Sequence, residues 1–115
     1  MWKAQTRTDV AHAAPLFAAL GDEVRLKLVA RLSTGGPLSI TRLSQGTNVT
    51  RQAVTKHLHV LATAGLAKAQ RQGREQFWEL KPEALEEARR CLNVIAAQWD
   101  GALQRLKAFA EGQGE

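Results

Sequence analysis

The stretch SITRLSQGTNVTRQAVTKHLHVLATAG, residues 39–65, constrains this chain more than any other. It reads as two short helices joined by a tight turn. The first covers Ile40 to Gln45, with Ser39 as its cap, and Gly46 can take the left-handed conformation that ends a helix without a Cβ clash. Val49 is a lone apolar residue in a polar turn, placed to plug the angle between the helices. Thr50 caps the second helix by accepting a backbone N–H, and Gly65 closes it. Val54, Leu58 and Leu61 recur at spacings of four and three, which makes a buried stripe. The other side carries Gln52, Thr55, Lys56, His59 and Thr63, and the helix contains no carboxylate. A solvated helix normally mixes Glu with Lys. A helix that faces phosphates and base edges excludes acids, because each would repel the polyanion. The pattern is that of a helix-turn-helix whose second helix is the reader.

The surroundings fit one domain spanning residues 1–115. The chain has a formal net charge of +5, which favours a polyanionic partner but is weak evidence alone. Its single cysteine allows no intramolecular disulfide, in keeping with a reducing compartment. No apolar run approaches the ~20 residues that cross a bilayer. The opening MWKAQTRTDV lacks the apolar centre of a signal peptide. These features set the expectation of a cytoplasmic, nucleoid-associated protein with no membrane partner.

Ahead of the central pair, residues 1–8 read as a frayed, basic segment in which Trp2 either docks on a neighbouring element or is simply exposed. A first helix follows over 9–20, with Val10, Ala13, Phe17 and Leu20 as its apolar stripe. Pro15 either kinks it or marks where it begins in earnest. Asp22 caps a second helix that runs to Leu32. There Val24, Leu28 and Leu32 face inward, Leu26 and Val29 widen the stripe, and Arg25, Lys27 and Arg31 form a solvated face. Gly35-Gly36-Pro37 breaks the chain.

After Gly65 the period changes to two. Residues 66–71 and 75–80 are extended runs around Gln72-Gly73-Arg74, a β-hairpin that spans 66–80, with Trp78 and Leu80 turned towards the domain. Arg71 and Arg74 flank its tip, where they can reach a phosphate or a minor groove. Pro82 suits the first turn of a last helix over 82–110, about 30 residues and ~40 Å long. Leu85, Ala88, Leu92, Ile95, Trp99, Leu103, Leu106 and Ala110 repeat along it every three or four residues. That is longer than so small a domain needs. The expectation is a homodimer built from helices 9–20 and 82–110, with Val10, Phe17, Ile95, Trp99, Leu103 and Leu106 at the interface.

The order helix, helix, helix-turn-helix, hairpin, long helix is mainly α with a small β-hairpin, a winged helix-turn-helix. At the residue level it resembles the ArsR/SmtB family of bacterial transcriptional repressors. The segments that carry the resemblance are LFAALGDEVRLKLVARL (16–32), LSQGTNVTRQAVTKHLHVLATAGL (43–66) and QRQGREQFWEL (70–80). The tail QWDGALQRLKAF (98–109) is similar to a branch of the family without metal-sensing signatures. The resemblance implies a homodimeric repressor that binds double-stranded DNA at an inverted-repeat operator. Its contacts would fall on Thr50, Arg51, Gln52, Thr55, Lys56, His59, Arg71 and Arg74. Gln52 is the candidate for a bidentate pairing with adenine, while Arg51 and Lys56 suit either guanine or phosphate. Ala53 stands where many relatives carry Ser, so one polar contact is absent.

Other chemistries find little support. Ile40-Thr41-Arg42-Leu43-Ser44 holds no thiol or carboxylate, and Asp100 has no His near it in sequence, so no zinc ligand set of about four groups is spelled out. No spacing of His, Cys, Ser or carboxylates suggests catalysis, and no Gly-rich phosphate loop or cofactor motif is present. Cys91 reads as a small buried hydrophobe, with a redox bridge between two copies as the lesser alternative. The remaining alternatives are a winged helix that binds protein instead of DNA, and a regulator released by a redox signal, a small molecule or a protein effector.

Overall fold

A computed structural model describes residues 4–113; Trp2 lies outside the described residues. The order of elements is α1 (Ala4–Leu20), α2 (Glu23–Gly35), β1 (Leu38–Ser39), α3 (Ile40–Ser44), α4 (Arg51–Thr63), β2 (Ala67–Gln72), β3 (Glu75–Leu80) and α5 (Pro82–Gln113). The fold is mainly helical with a small antiparallel sheet, in the winged helix-turn-helix order.

Local chemistry sets most of the boundaries. Asp22 accepts the Arg25 amide at 3.0 Å, Ser39 accepts the Arg42 amide at 3.2 Å, and Thr50 accepts the Ala53 amide at 3.1 Å. Each satisfies a donor at the start of a helix that has no intrahelical partner. Gly46 ends the α3 region at φ 76°. In the hairpin Gln72 pairs with Glu75, so Gly73 and Arg74 form a two-residue loop. Gly73 has φ 64° and Arg74 does not have a positive φ, the pattern of a II′ turn, whose twist matches that of the flanking strands.

The first helix departs from the sequence expectation. It starts at Ala4 instead of Asp9 and runs unbroken through Pro15. Proline removes one hydrogen bond there. Burial of Ala13, Leu16 and Ala19, on both sides of the proline, holds the turn together. The sheet also has a third strand. β1 pairs antiparallel with β3 through Leu38–Trp78 and Ser39–Phe77, giving the order β1-β3-β2. Two residues after a Gly-Gly-Pro break carry no periodicity of their own, and only the pairing makes them a strand.

The core forms where α1, α2, α4 and the sheet converge. Leu28, Leu43, Val54, Leu58, Leu61, Leu66 and Trp78 are essentially inaccessible. Val49 packs against this cluster from the turn between α3 and α4. Leu26 was expected to widen the α2 stripe, but it is 53% exposed. It sits two residues from both Val24 and Leu28, a spacing that turns it about 200° away from them on a helix.

α5 packs on α1 through its first turns, where Ala84, Ala88 and Cys91 are buried. Beyond Cys91 no described residue of α5 is buried. Its 32 residues give a rod of ~48 Å, and the molecule extends 71 Å along its longest axis. Leu92, Ile95, Trp99, Leu103, Leu106 and Phe109 are all exposed along that rod.

Leu58→Ala should destabilise the fold by about 2–5 kcal/mol, the range for a large-to-small change at a closed site. Leu26→Ala should stay within about 0.5 kcal/mol, as an exposed position does. Urea unfolding followed by circular dichroism checks both, and similar losses would mean that Leu26 is buried in solution.

Candidate nucleic-acid interface

The candidate reader face is built by the amphipathic geometry of α4. Because Val54, Leu58 and Leu61 are buried, positions about half a turn away must point outwards. Arg51, Gln52, Lys56, His59 and Thr63 are exposed, and Thr55 is half-buried. Thr55 donates its hydroxyl to the Arg51 carbonyl at 2.9 Å, which leaves its oxygen free to accept. Thr50 uses its side-chain oxygen as the cap, so its hydroxyl hydrogen is still available to a phosphate.

Three elements meet at the start of α4. A groove of about 230 Å³ is lined by Thr41 of α3, Arg51 of α4 and Arg74, Glu75 and Gln76 of the hairpin, over Ser39 and Ile40. Arg51 and Arg74 lie 23 positions apart in sequence and face one space. Arg71 is exposed on the hairpin, paired across it with Gln76. His59 stands farther along α4, where its ring meets Trp78 edge-on with centroids 5.6 Å apart. That contact ties α4 to the sheet. Lys68 is occupied in a cross-strand pair with Glu79 at 3.5 Å.

Residues 20–68 match a family described as a helix-turn-helix domain. The HTH-type transcriptional regulator Rv2034 of Mycobacterium tuberculosis is 33% identical over 99 residues, covering 86% of this chain and 89% of that protein. An ArsR-like transcriptional regulator from Rhodococcus sp. RHA1 superposes with a TM-score of 0.71 at 35% identity, over 87% of this chain and 93% of that one. The chain belongs to the ArsR family of helix-turn-helix transcriptional regulators. The homodimeric winged helix-turn-helix DNA-binding domain Mb0332 from Mycobacterium bovis shares the fold, with a TM-score of 0.60 at 20% identity over 87% of this chain and 89% of that one.

In this ArsR-family regulator several polar residues near the interface have work that the sequence did not disclose. Arg25 and Arg31 were expected on a solvated face, and both are engaged. Arg25 donates to the Ala19 carbonyl at the end of α1 and lies 3.3 Å from His57 Nδ1 on α4. Arg31 donates to three carbonyls at the end of α3. Lys27 does remain at the surface, in an exposed pair with Glu23. His57 is half-buried between Arg25 and Asp22. Glu75 is an acid in the groove that Arg51 and Arg74 share. Sequence could have flagged it by its place beside the hairpin turn. The arginine contacts span 6 to 32 positions without a periodic signal.

Among the described residues no group of three or more His, Cys, Asp and Glu side chains is placed to hold a metal ion. No described helix is long and apolar enough to cross a membrane. Cys91 is buried, with a free thiol.

The Asp22 carboxyl is held below its ordinary value. The Arg25 amide hydrogen bond is the main cause; partial desolvation opposes it, and the Arg25 and His57 charges add to the lowering. A carboxyl lowered in the folded state stabilises the fold above its unfolded pKa of about 4, and this contribution is lost as pH falls through the lower folded value. Asp22→Asn keeps a good cap but cannot titrate. Urea midpoints measured between neutral pH and about pH 2 should therefore fall less steeply below about pH 4 in Asp22→Asn than in the parent. Parallel curves would show that the cap does not carry the linkage.

Proposed function

We propose that this regulator is a homodimeric, sequence-specific repressor that binds an inverted-repeat operator in double-stranded DNA. The observation that carries the reading is the exposed, carboxylate-free side of α4, whose Arg51 end opens into the groove shared with Arg74 of the wing. In the proposed division of labour Gln52 reads a base edge. Arg51, Lys56, Thr50, Thr55, Arg71 and Arg74 position the protein on phosphates, and His59 closes the contact where α4 meets the sheet. The role is binding, not catalysis.

The proposed dimer uses α1 and the far part of α5. Ile95, Trp99, Leu103 and Leu106 are 43%, 65%, 46% and 64% exposed in the single chain, more apolar surface than a lone rod leaves to water without a partner. Val10 and Phe17 of α1 are half-buried. The homodimer named for Mb0332 supports a pairing of two copies here. A two-fold axis would set two reader helices one DNA turn apart, ~34–36 Å.

Fluorescence anisotropy with a duplex from upstream of the protein's own gene, against a scrambled duplex across a salt series, tests recognition. Lys56→Ala should weaken binding to both duplexes and reduce the salt slope by about one. Gln52→Ala should relax preference at one operator position, with a cost of about 1–3 kcal/mol on the preferred base. Equal binding of the parent to both duplexes would refute sequence-specific recognition. The assembly is tested separately. Trp99→Glu should convert a sedimenting dimer to monomer and abolish tight operator binding, whereas an unchanged dimer would remove the α5 stripe from the interface.

A further inference from the structure

α3 is too short to hold its own end. It has five residues, of which only Leu43 is buried, and a helix of one turn is unstable alone. Its closing carbonyls nonetheless all have donors. The Ser44 carbonyl accepts the Thr47 amide at 3.3 Å and the Thr47 hydroxyl at 2.8 Å. The other three converge on one side chain from a different helix. Arg31 Nη1 donates to the Leu43 carbonyl at 2.8 Å and to the Gln45 carbonyl at 3.0 Å, while Nη2 donates to the Arg42 carbonyl at 2.8 Å. The next residue, Gly46, starts the turn in a left-handed conformation, and four residues later Thr50 caps α4.

We propose that Arg31 is a positioning residue for DNA recognition: it locks the turn between α3 and α4, and so the angle at which α4 presents its outer face, without touching DNA. The inference rests on the reading of α4 as the DNA reader. The chemistry favours arginine specifically. A planar guanidinium carries several donors in a fixed fork and can meet three carbonyls on one strand of backbone; an ammonium on a flexible stem cannot hold that geometry. The positive charge also complements carbonyl oxygens gathered at a helix end. With three of its five donors spent on carbonyls, Arg31 differs from Arg51, Lys56, Arg71 and Arg74, for which no hydrogen bond or ion pair among the described residues constrains the cationic group to a backbone site.

The test compares the parent chain with Arg31→Met, which keeps an apolar arm and loses the donors, and Arg31→Lys. Circular dichroism establishes that both variants fold. Amide hydrogen exchange is then read over residues 45–50, and anisotropy on the specific and scrambled duplexes over a salt series. In Arg31→Met, exchange in the turn should accelerate and specific affinity should fall about tenfold or more, the scale of one lost charge-assisted hydrogen bond. Affinity for the scrambled duplex and the salt slope should hold, and Arg31→Lys should recover part of the specific affinity. A salt slope reduced by about one, with equal losses on both duplexes, would make Arg31 a phosphate contact and overturn the proposal. Unchanged exchange would overturn it as well. A parent protein that prefers neither duplex would refute the recognition reading, and with it the positioning role, even where exchange in Arg31→Met had risen.

Discussion

The burial of three side chains on α4 is the constraint on which the rest of the structure depends. Val54, Leu58 and Leu61 are inaccessible to solvent, and each would leave a cavity if shortened. Burial at spacings of four and three fixes the rotation of the helix about its own axis. Once that rotation is set, Gln52 and Lys56 have nowhere to point but outwards. The sheet follows from the same packing. Trp78, the largest buried side chain, sits between Leu38 and Ala69 in the sheet and meets the ring of His59. The wing is therefore held against the helix that it flanks.

α2 acts as the brace behind that helix. Leu28, Val29 and Leu32 bury one side of it in the core. From its flanks Arg25 reaches the end of α1 and His57 of α4, and Arg31 reaches the end of α3. Carbonyls at the end of a helix lack internal partners and must be met from elsewhere. Here long cationic side chains meet them, so that two basic residues within a DNA-binding fold serve the fold's own backbone. Counting positive charge alone would assign both to the polyanion.

Much of the architecture was legible because it rests on short-range chemistry. The caps at Asp22, Ser39 and Thr50, the turn at Gly46, the hairpin loop at Gly73 and the apolar stripe of α4 are all encoded within a few residues of where they act. What was not legible depends on partners distant in the chain. β1 exists because Leu38 and Ser39 meet Trp78 and Phe77, some 40 positions on. Pro15 is carried through α1 by burial on both sides of it. The positions of Arg25, Arg31 and His57 are fixed by elements that sequence spacing does not relate. The outward face of α4 could be read at once, whereas its junction with the wing, where Arg51, Arg74 and Glu75 share one groove, emerged only from the folded chain.

The division of α4 into two faces has a consequence for how such a protein can change over generations. The buried stripe and the outward positions share no residue, and surface substitutions away from caps and networks alter stability little. Gln52 and Lys56 can therefore vary while the scaffold stays intact, and a duplicated copy can drift towards a new target without first passing through an unfolded intermediate. Thr50 is the exception at this end of the helix, because its side chain both caps α4 and faces outwards. On the proposed reading of α4, innovation in what the protein recognises is thus concentrated on a few positions that folding leaves unclaimed.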